Sequence, residues 1–321
     1  MSSSVTVDAN LILPLPWQQQ FWQGFSSRIE ANTVPHALML SGAEGIGVER
    51  LARALVYQRL CMTKDSDYPC GVCKACQLLA ADSHPDFFHV VPAKKGSAIL
   101  VDQIRALCSS LEKTAQQGGW RVALIHPAES MNIAASNALL KNLEEPGANT
   151  LVILVTHRLS QVPATVRSRC QIENLTIPTV DQSLDWLTNV AGDSQAITGA
   201  LKMAGGRPLL ALEYIQGEGI EQRLQLEALL NSLRSGDINA CDAAQQVQQY
   251  DAENTIEWAI SYLHRLVTNE LRDHLNPALF AFSDSLIKAR SWVLSESNPN
   301  NQLLWEQLFI EWAQIFQQPR Q

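Results

Sequence analysis

Short apolar runs alternate with helical segments through the first half of the chain. The runs are four or five residues long and cover residues 37–40, 87–91, 121–125 and 151–155. Helical patterns occupy residues 48–60, 101–114 and 134–143 between them. Nearly continuous apolar strands that alternate with helices are typical of a parallel sheet covered on both faces. The sequence therefore predicts an α/β domain over residues 1–178.

The strand signal ends at Pro178, and helical segments broken by glycines follow it. The clearest is residues 256–271, where apolar residues recur at three- and four-residue spacing and form one stripe along a helix. Four tryptophans also lie in this part of the chain: Trp258, Trp292, Trp305 and Trp312. They fill the core of a helical bundle, or they form an aromatic-rich surface for partner subunits. The pattern alone leaves both interpretations open.

Charge is distributed unevenly between the two halves. Residues 1–178 carry 15 basic and 14 acidic side chains, whereas residues 179–321 carry 9 basic and 18 acidic ones. The acidic half repels phosphates, so any contact with nucleic acid is expected from the first half. The total charge of −8 argues against a protein that is held to DNA mainly by a broad basic surface.

Nothing in the sequence predicts a membrane protein. No run of 18 apolar residues is present, which disfavours a membrane span. Residues 1–17 lack a basic start followed by an apolar block, so no secretory signal is expected. We therefore expect a cytoplasmic protein whose cysteines stay reduced.

A glycine-rich segment, Ser-Gly-Ala-Glu-Gly-Ile-Gly-Val-Glu, lies between the first predicted strand and helix. Working phosphate loops read G-x-x-x-x-G-K-[ST], with backbone N–H groups around the phosphates, a lysine that neutralises them and a hydroxyl on Mg²⁺. Gly42 and Gly47 keep this spacing, but Val48 replaces the lysine and Glu49 replaces the hydroxyl residue. Because a carboxylate repels phosphates, we expect a degenerate loop at Gly42, Gly45 and Gly47 that binds no ATP. An ordinary glycine turn before a helix fits this segment equally well.

The strand predicted at 121–125 ends in His126-Pro127. An ATPase places acidic residues near this point to hold Mg²⁺ and to orient the attacking water. Histidine is a poor ligand for Mg²⁺, which prefers oxygen, and proline has no group that activates water. We interpret His126 as a histidine at a strand end rather than as a catalyst.

Four cysteines follow the predicted loop helix in the pattern C-x8-C-x2-C-x2-C: Cys61, Cys70, Cys73 and Cys76. Two-residue gaps let neighbouring thiolates bind one ion, and four thiolates make a closed structural zinc site. An iron–sulfur cluster is the competing interpretation. Disulfides are disfavoured in a reducing compartment. Cys108, Cys170 and Cys241 are interpreted as ordinary buried thiols.

Three features together resemble bacterial clamp-loader subunits of the AAA+ class. They are the cysteine insert after the loop helix, the run Asn-Ala-Leu-Leu-Lys-Asn-Leu-Glu-Glu-Pro at 137–146, and Val-Arg-Ser-Arg-Cys at 166–170. The resemblance covers about residues 20–215. It implies an α/β P-loop AAA+ domain at 1–178 with a zinc insert at 61–76, a small helical lid at 179–217, and an all-α collar domain for oligomerisation at 218–321.

The same resemblance indicates that this chain has lost its own ATP site. The acidic pair of the ATP-hydrolysing gamma/tau subunits matches His126 and Pro127. The arginine of sensor 2 matches Leu209, although Arg207 lies close by, and Thr156 matches sensor 1. The family resemblance therefore implies a subunit without intrinsic ATPase activity, with structural zinc and no bound ATP.

The resemblance assigns the retained Ser-Arg-Cys motif a role in trans. Arg169 becomes an arginine finger for ATP on a neighbouring gamma/tau subunit, with Ser168 and Cys170 in support. The implied partners are gamma/tau and delta subunits in a hetero-pentamer, together with the sliding clamp and primed DNA, within a DNA-directed DNA polymerase (nucleotidyltransferase) holoenzyme. The chain would act as a rigid stator.

Two other functions remain open from the residues alone. An active P-loop ATPase would require a lysine in the loop and an acid after the strand. A zinc-dependent nucleic-acid-binding module would require a basic helix beside the cysteines. Only Lys64 and Lys74 lie near them, and Asp65 and Asp67 balance their charge.

Overall fold

The computed structural model describes residues 13–63, 67–94, 96–117, 119–192, 196–216, 219–269, 277–293 and 300–317. The chain divides into two compact units, Met1–Glu213 and Tyr214–Gln321. The predicted boundary between lid and collar, at residues 217 and 218, lies outside the described residues. The separate lid therefore stays a prediction.

A five-stranded parallel sheet forms the centre of the first unit in its described residues. The strands are β1 (Ala37–Gly42), β2 (Phe87–Val90), β3 (Arg121–Ile125), β4 (Thr150–Thr156) and β5 (Gln171–Leu175), in the order β2-β3-β4-β1-β5. The sequence predicts the first four. It misses β5 because this edge strand is partly exposed and its polar sequence, Gln-Ile-Glu-Asn-Leu, lacks an apolar run.

Helices surround this sheet. The described helices of the first unit are α1 (Gln19–Glu30), α2 (Val48–Leu60), α3 (Lys74–Ala80), α4 (Val101–Leu111), α5 (Ile133–Glu144), α6 (Ala164–Arg167), α7 (Val180–Ala191) and α8 (Ala196–Met203). A further helix, α9, covers Pro208–Gln216. The predicted α/β class with a parallel sheet is confirmed.

Alternate residues of the central strands enter two separate apolar cores. In β1, Leu38 and Leu40 pack with α1 and α2, whereas Ala37 and Met39 pack with α4 and α5. Both faces of the strand are thus buried, which explains why its sequence is continuously apolar.

The strand register brings three loops together at one edge of the sheet. Ile125 of β3 lies opposite Leu154 of β4, and Ser41 of β1 lies opposite Thr156 of β4. The residues that follow these strands therefore meet at their carboxyl ends, where open α/β sheets commonly place ligand sites.

The second unit is helical in its described residues. Its helices are α10 (Gly219–Ser235), α11 (Ala240–Val247), α12 (Ala252–Asn269), α13 (Pro277–Val293) and α14 (Asn301–Gln317). The predicted helix 256–271 corresponds to α12, and Leu271 lies outside the described residues. None of the helices in the described ranges has the length and hydropathy that a membrane crossing requires.

The four tryptophans do not share one environment. Trp258, Trp305 and Trp312 are at most 5% exposed and belong to one apolar core. Trp292 is 48% exposed. The core interpretation therefore holds for three of the four.

Cys241 corrects another expectation from the sequence. It is exposed near the start of α11, whereas the sequence predicts a buried thiol. The reason is the helical face: Ala243, Ala244 and Val247 form the buried side of α11. Cys108 and Cys170 are partly buried.

Replacing Trp312 tests the helical core. Its indole Nε1 donates to the Leu230 carbonyl oxygen at 2.8 Å, and its ring packs against Tyr262 and Phe282. Trp312→Ala should lower the free energy of unfolding by about 3–5 kcal/mol, measured by denaturant unfolding of the full chain. Trp292→Ala is the matched control and should change it by less than about 0.5 kcal/mol. Equal effects of the two substitutions would contradict this assignment.

Candidate functional site

The glycine loop between β1 and α2 keeps the glycine spacing of a phosphate loop and has an apolar interior. Gly45 and Gly47 have φ angles of 84° and 85°, a conformation that favours glycine. Val48, at the lysine position, and Ile46 are each 1% exposed. A Cβ atom on Gly42 would lie 3.0 Å from a methyl group of each. The loop therefore uses the lysine position for packing.

The segment before α1 covers this loop. Gln18 is 2% exposed, and its Nε2 donates to the carbonyl oxygens of Gly47 at 2.9 Å and Ile46 at 3.3 Å. The Trp17 Nε1 also donates to Ile46 O, at 3.0 Å. A Cβ on Gly47 would clash with Leu15 Cδ1. The chain's own residues therefore contact the loop closely.

The positions that match the two sensors are also engaged internally. Leu209 Cδ1 lies 3.2 Å from the Cβ position of Gly47, and the Leu209 backbone N–H donates to Gly45 O at 3.0 Å. Arg207 Nε donates to the Ala204 carbonyl oxygen at 2.7 Å. Thr156 is fully buried, and its hydroxyl oxygen accepts from a backbone N–H at 3.2 Å.

His126 and Glu49 meet at the carboxyl edge of the sheet. His126 Nδ1 lies 3.4 Å from Glu49 Oε2, and Arg53 Nε lies 3.5 Å from Glu49 Oε1. The His126 ring also contacts His157, with 3.3 Å between their Nε2 atoms. Burial lowers the pKa of His126 and His157 lowers it further, against the opposing effect of nearby carboxylates.

Sequence reasoning missed His157. Its position in the sequence could have indicated it, because His157 directly follows β4 as His126 directly follows β3. The two strands are neighbours in the sheet, so their carboxyl ends bring the two histidines together.

The four cysteines of the predicted insert come together. Cys61 follows α2, Cys73 precedes α3 and Cys76 lies within α3. The four Sγ atoms, including that of Cys70, all lie within 4.8 Å of one another. Cys61 Sγ is 3.6 Å from Cys70 Sγ and 3.9 Å from Cys73 Sγ.

These separations fit one tetrahedral ion. Zinc–sulfur bonds of about 2.3 Å place tetrahedral thiolates roughly 3.8 Å apart. An iron–sulfur cluster lies between its thiolates and holds them farther apart, so the single-ion interpretation fits better. The four cysteines can therefore hold a metal ion such as zinc.

The local environment favours a thiolate at two of these cysteines. Burial raises the pKa of Cys70, but hydrogen bonds from the Thr63 side chain and from the backbone N–H groups of Cys73 and Val72 outweigh it and bring the pKa to about 6. Burial also raises the pKa of Cys73, but backbone hydrogen bonds to its sulfur outweigh this effect, so the pKa of Cys73 is lowered overall. Burial raises the pKa of Cys61 and Cys76. A bound cation offsets that cost, because metal ligands are thiolates.

Contacts with α1 hold the cysteine insert. Trp22 Nε1 donates to the Asp67 carbonyl oxygen at 3.1 Å, and its ring stacks on Tyr68 with 5.6 Å between centroids. The Tyr68 hydroxyl donates to Gln19 Oε1 at 2.9 Å.

Arg169 lies in the turn between α6 and β5, at the surface. Its side chain is 34% exposed and forms an ion pair with Glu144, to which Nε donates at 2.6 Å. The NH1 group donates to the Thr165 carbonyl oxygen at 2.8 Å. Ser168 Oγ donates to the same carbonyl at 3.2 Å. Cys170 packs beside the apolar core, and burial raises the pKa of its thiol to about 12.

The parallel sheet, the glycine loop and the four-cysteine array define a P-loop-type α/β protein whose loop lacks the lysine and the hydroxyl residue of a working phosphate loop. A family profile described as "DNA polymerase III, delta subunit" matches residues 17–179. The chain belongs to the family of DNA polymerase III delta' subunits, because curated delta' relatives are 32% and 35% identical to it over more than 90% of its length. This confirms the clamp-loader resemblance.

Curated relatives match along most of the chain. The DNA polymerase III subunit delta' of Pseudomonas aeruginosa is 35% identical and covers 94% of this chain and 97% of its own length. That of Escherichia coli K12 is 32% identical, covering 92% and 94%. Among solved structures, a DNA polymerase III gamma subunit-related protein from Thermotoga maritima matches with a TM-score of 0.49 and 16% identity, covering 92% of this chain and 99% of its own.

Removing one thiolate tests the metal site. We expect wild-type protein to contain one zinc per chain in this array, and Cys70→Ser or Cys73→Ser to lose it, as measured by elemental analysis. Both variants should also melt several degrees lower, since each kcal/mol lost shifts the midpoint by about 2–4 °C in a unit of this size. Cys241→Ser, on an exposed thiol, should change neither property. Full zinc content in both insert variants would contradict the assignment.

Proposed function

We propose that this chain is the non-hydrolysing subunit of a bacterial clamp loader in DNA replication. It acts as a rigid stator and supplies Arg169 to the ATP site of a neighbouring gamma/tau subunit, which supports loading of the sliding clamp onto primed DNA. The observation that carries this proposal is a partly exposed guanidinium on a chain that fills its own nucleotide loop with apolar side chains.

The lost ATP site supports the first part of the proposal. Val48 is buried where the phosphate-neutralising lysine belongs, and Glu49 carries negative charge where the Mg²⁺-binding hydroxyl belongs. Leu15 and Leu209 pack on Gly47. ATP binding would have to displace these apolar contacts and to place phosphates beside a carboxylate, without the loop lysine.

The position of Arg169 supports the second part. Its ion pair with Glu144 joins two partly exposed side chains, and pairs of this kind contribute only about 0–1 kcal/mol. A γ-phosphate can therefore replace the carboxylate as partner. Thr165 and Ser168 accept hydrogen bonds from NH1, at 2.8 and 3.4 Å, and they keep the head group at the surface.

The chemistry of the finger is electrostatic. A guanidinium binds two oxygens in parallel, and charge that develops on the transferred phosphoryl group strengthens that interaction in the transition state. An arginine supplied in this way is worth about 10³–10⁵ in rate. Cys170 acts as a positioning residue, because it anchors the turn after Arg169 against the apolar core, where burial raises the pKa of its thiol to about 12.

The remaining parts of the proposal concern cofactor and partners. The four thiolates hold a structural zinc, which ties the segment after α2 to α3. The partners are gamma/tau and delta subunits in a hetero-pentamer, with the clamp and primed DNA in the assembly, so the chain is a component of the DNA-directed DNA polymerase holoenzyme.

Neither alternative function gains support. The loop of an active ATPase needs a lysine that reaches the phosphates, and Val48 is buried instead. A zinc-dependent nucleic-acid module needs a basic helix beside the cysteines. The helix there, α3, carries Lys74 as its one basic residue, while Lys64 and Asp65 lie outside the described residues.

Isolated protein should not bind ATP. Calorimetric titration of the full chain with Mg-ATP to millimolar concentration should show no binding, with an intact gamma/tau subunit as positive control. The double variant Val48→Lys, Glu49→Thr should also fail to bind and should melt lower, because the new lysine enters an apolar core. Micromolar affinity of the wild-type chain would refute this part of the proposal.

Arg169→Ala should leave the reconstituted loader assembled but slow the adjacent ATP site by about 10³–10⁵. The total DNA-stimulated ATPase rate of the loader should therefore fall by the amount that this one site contributes. Arg169→Lys should fall nearly as far, because lysine lacks the planar fork.

Two controls separate a finger from an internal structural role. Glu144→Gln breaks the ion pair without removing the guanidinium, so its loader should hydrolyse ATP at close to the normal rate. Arg105→Ala removes another exposed, ion-paired arginine and should change nothing. Equal losses in Arg169→Ala and Glu144→Gln, or normal hydrolysis in Arg169→Ala, would count against the finger.

A further inference from the structure

Strand β5 has one unpaired edge in the part of the chain that the structure describes. It pairs with β1 on one side and is the last strand of the sheet on the other. An edge strand presents alternate N–H and C=O groups that can pair with another extended chain. Lysine and proline commonly protect such edges, and the sequence of β5, Gln-Ile-Glu-Asn-Leu, contains neither. The edge is therefore open to pairing.

A groove lies between α1 and β5, with a volume of about 340 Å³. Residues 173–176 line one side of it, and Trp17, Phe21 and Phe25 line the other. The rings of Phe21 and Phe25 stack with 6.2 Å between their centroids. Trp17 is held in place because its Nε1 donates to the Ile46 carbonyl oxygen at 3.0 Å. This α1–β5 groove thus combines an ordered aromatic wall with the end of an edge strand.

Gly24 keeps the α1–β5 groove open. It lies within α1 and borders the groove, and a Cβ atom placed on it would meet no atom within 4 Å. Glycine weakens a helix interior relative to alanine, and no described neighbour requires it here. The missing side chain leaves room for a second backbone to approach α1 closely.

Arg28 supplies an unused hydrogen-bond donor at the same groove. Its NH1 atom is buried and has no hydrogen-bond partner among the described residues. Glu173 Oε1 lies 3.6 Å from NH1, which is too far for a hydrogen bond. That oxygen already accepts from Gln171 Nε2 at 2.7 Å. The guanidinium can therefore bind a carboxylate that comes from outside the chain.

We propose that the α1–β5 groove binds an extended segment of a partner protein, which adds a further strand to the sheet beside β5. The segment carries apolar side chains at alternate positions, facing Trp17 and Phe21, and an acidic side chain that pairs with Arg28. Main-chain hydrogen bonds give such a complex its affinity, and the side-chain contacts give it specificity. Nucleic acid fits the groove less well, because the Glu173 carboxylate in its lining repels phosphates.

Peptide selection tests whether the groove binds. A phage library of random dodecapeptides is selected on the full wild-type chain and, in parallel, on Gly24→Leu, whose new side chain suits a helix and fills the groove. We expect only the wild type to enrich sequences with alternating apolar residues and an aspartate or glutamate. Gly199→Leu is the matched control: Gly199 is an exposed glycine of α8 with an equally free Cβ position, away from the groove. It should enrich the same sequences as wild type. Equal enrichment on wild type and Gly24→Leu, or none on wild type, would overturn the proposal.

The selected peptide then tests the mode of binding on the wild-type chain, by fluorescence anisotropy. Changing its acid to the amide should weaken binding by about tenfold or more, and the same change should have little effect on binding to Arg28→Met. N-methylation of the alternate amides that face β5 should abolish binding, whereas methylation of the other set should not. Equal binding of both methylated peptides would refute the added strand.

Light scattering separates a partner protein from a second copy of this chain. We expect the free wild-type chain and Gly24→Leu to have the same monomeric mass. A dimer that Gly24→Leu dissociates would assign the groove to self-association and overturn the proposal. These results are independent of the arginine finger, which the ATPase measurements test separately.

Discussion

Burial of both faces of the parallel sheet is the constraint on which the first unit depends. Alternate residues of each central strand enter different apolar cores, so strand positions that differ by one residue cannot exchange. That arrangement fixes where the strands end. The glycine loop, His126 and His157 meet at the carboxyl edge because the register of β1, β3 and β4 places them there.

The loop between β1 and α2 combines the glycine spacing of a phosphate loop with an apolar interior. Gly45 and Gly47 have positive φ angles and form the turn from β1 into α2. Apolar side chains now occupy the space, with Val48 within the core and Leu15 and Leu209 on Gly47. Packing of this kind stabilises the unit without ligand. It suits a subunit whose proposed contribution, Arg169, acts on another chain and benefits from a rigid support.

The cysteine array is local in the sequence. Its four thiols lie within 16 residues and can hold one metal ion, which would organise a segment too short to form its own core. His126 and His157, by contrast, follow two separate strands, and the sheet brings their rings together.

The family and much of the site were predictable from the sequence because their signals are local. Cysteine spacing, loop glycines, the run at 137–146 and the Ser-Arg-Cys motif are each read within a few residues, and the continuous apolar runs follow from two-sided burial. Strand β5 was not predicted, because an exposed edge strand needs no apolar pattern. Cys241 was wrongly predicted to be buried, because which face of its helix is covered depends on the neighbouring helices.

Long-range contacts were decided by the tertiary structure alone. His126 and His157 lie 31 residues apart, Arg169 and Glu144 lie 25 apart, and Leu209 reaches a loop more than 160 residues before it. No local pattern encodes such pairs, because they arise only when strand order and helix packing bring distant segments to one edge. The sequence by itself determined which chemical groups the protein carries and which it has lost; the fold decided which of them touch.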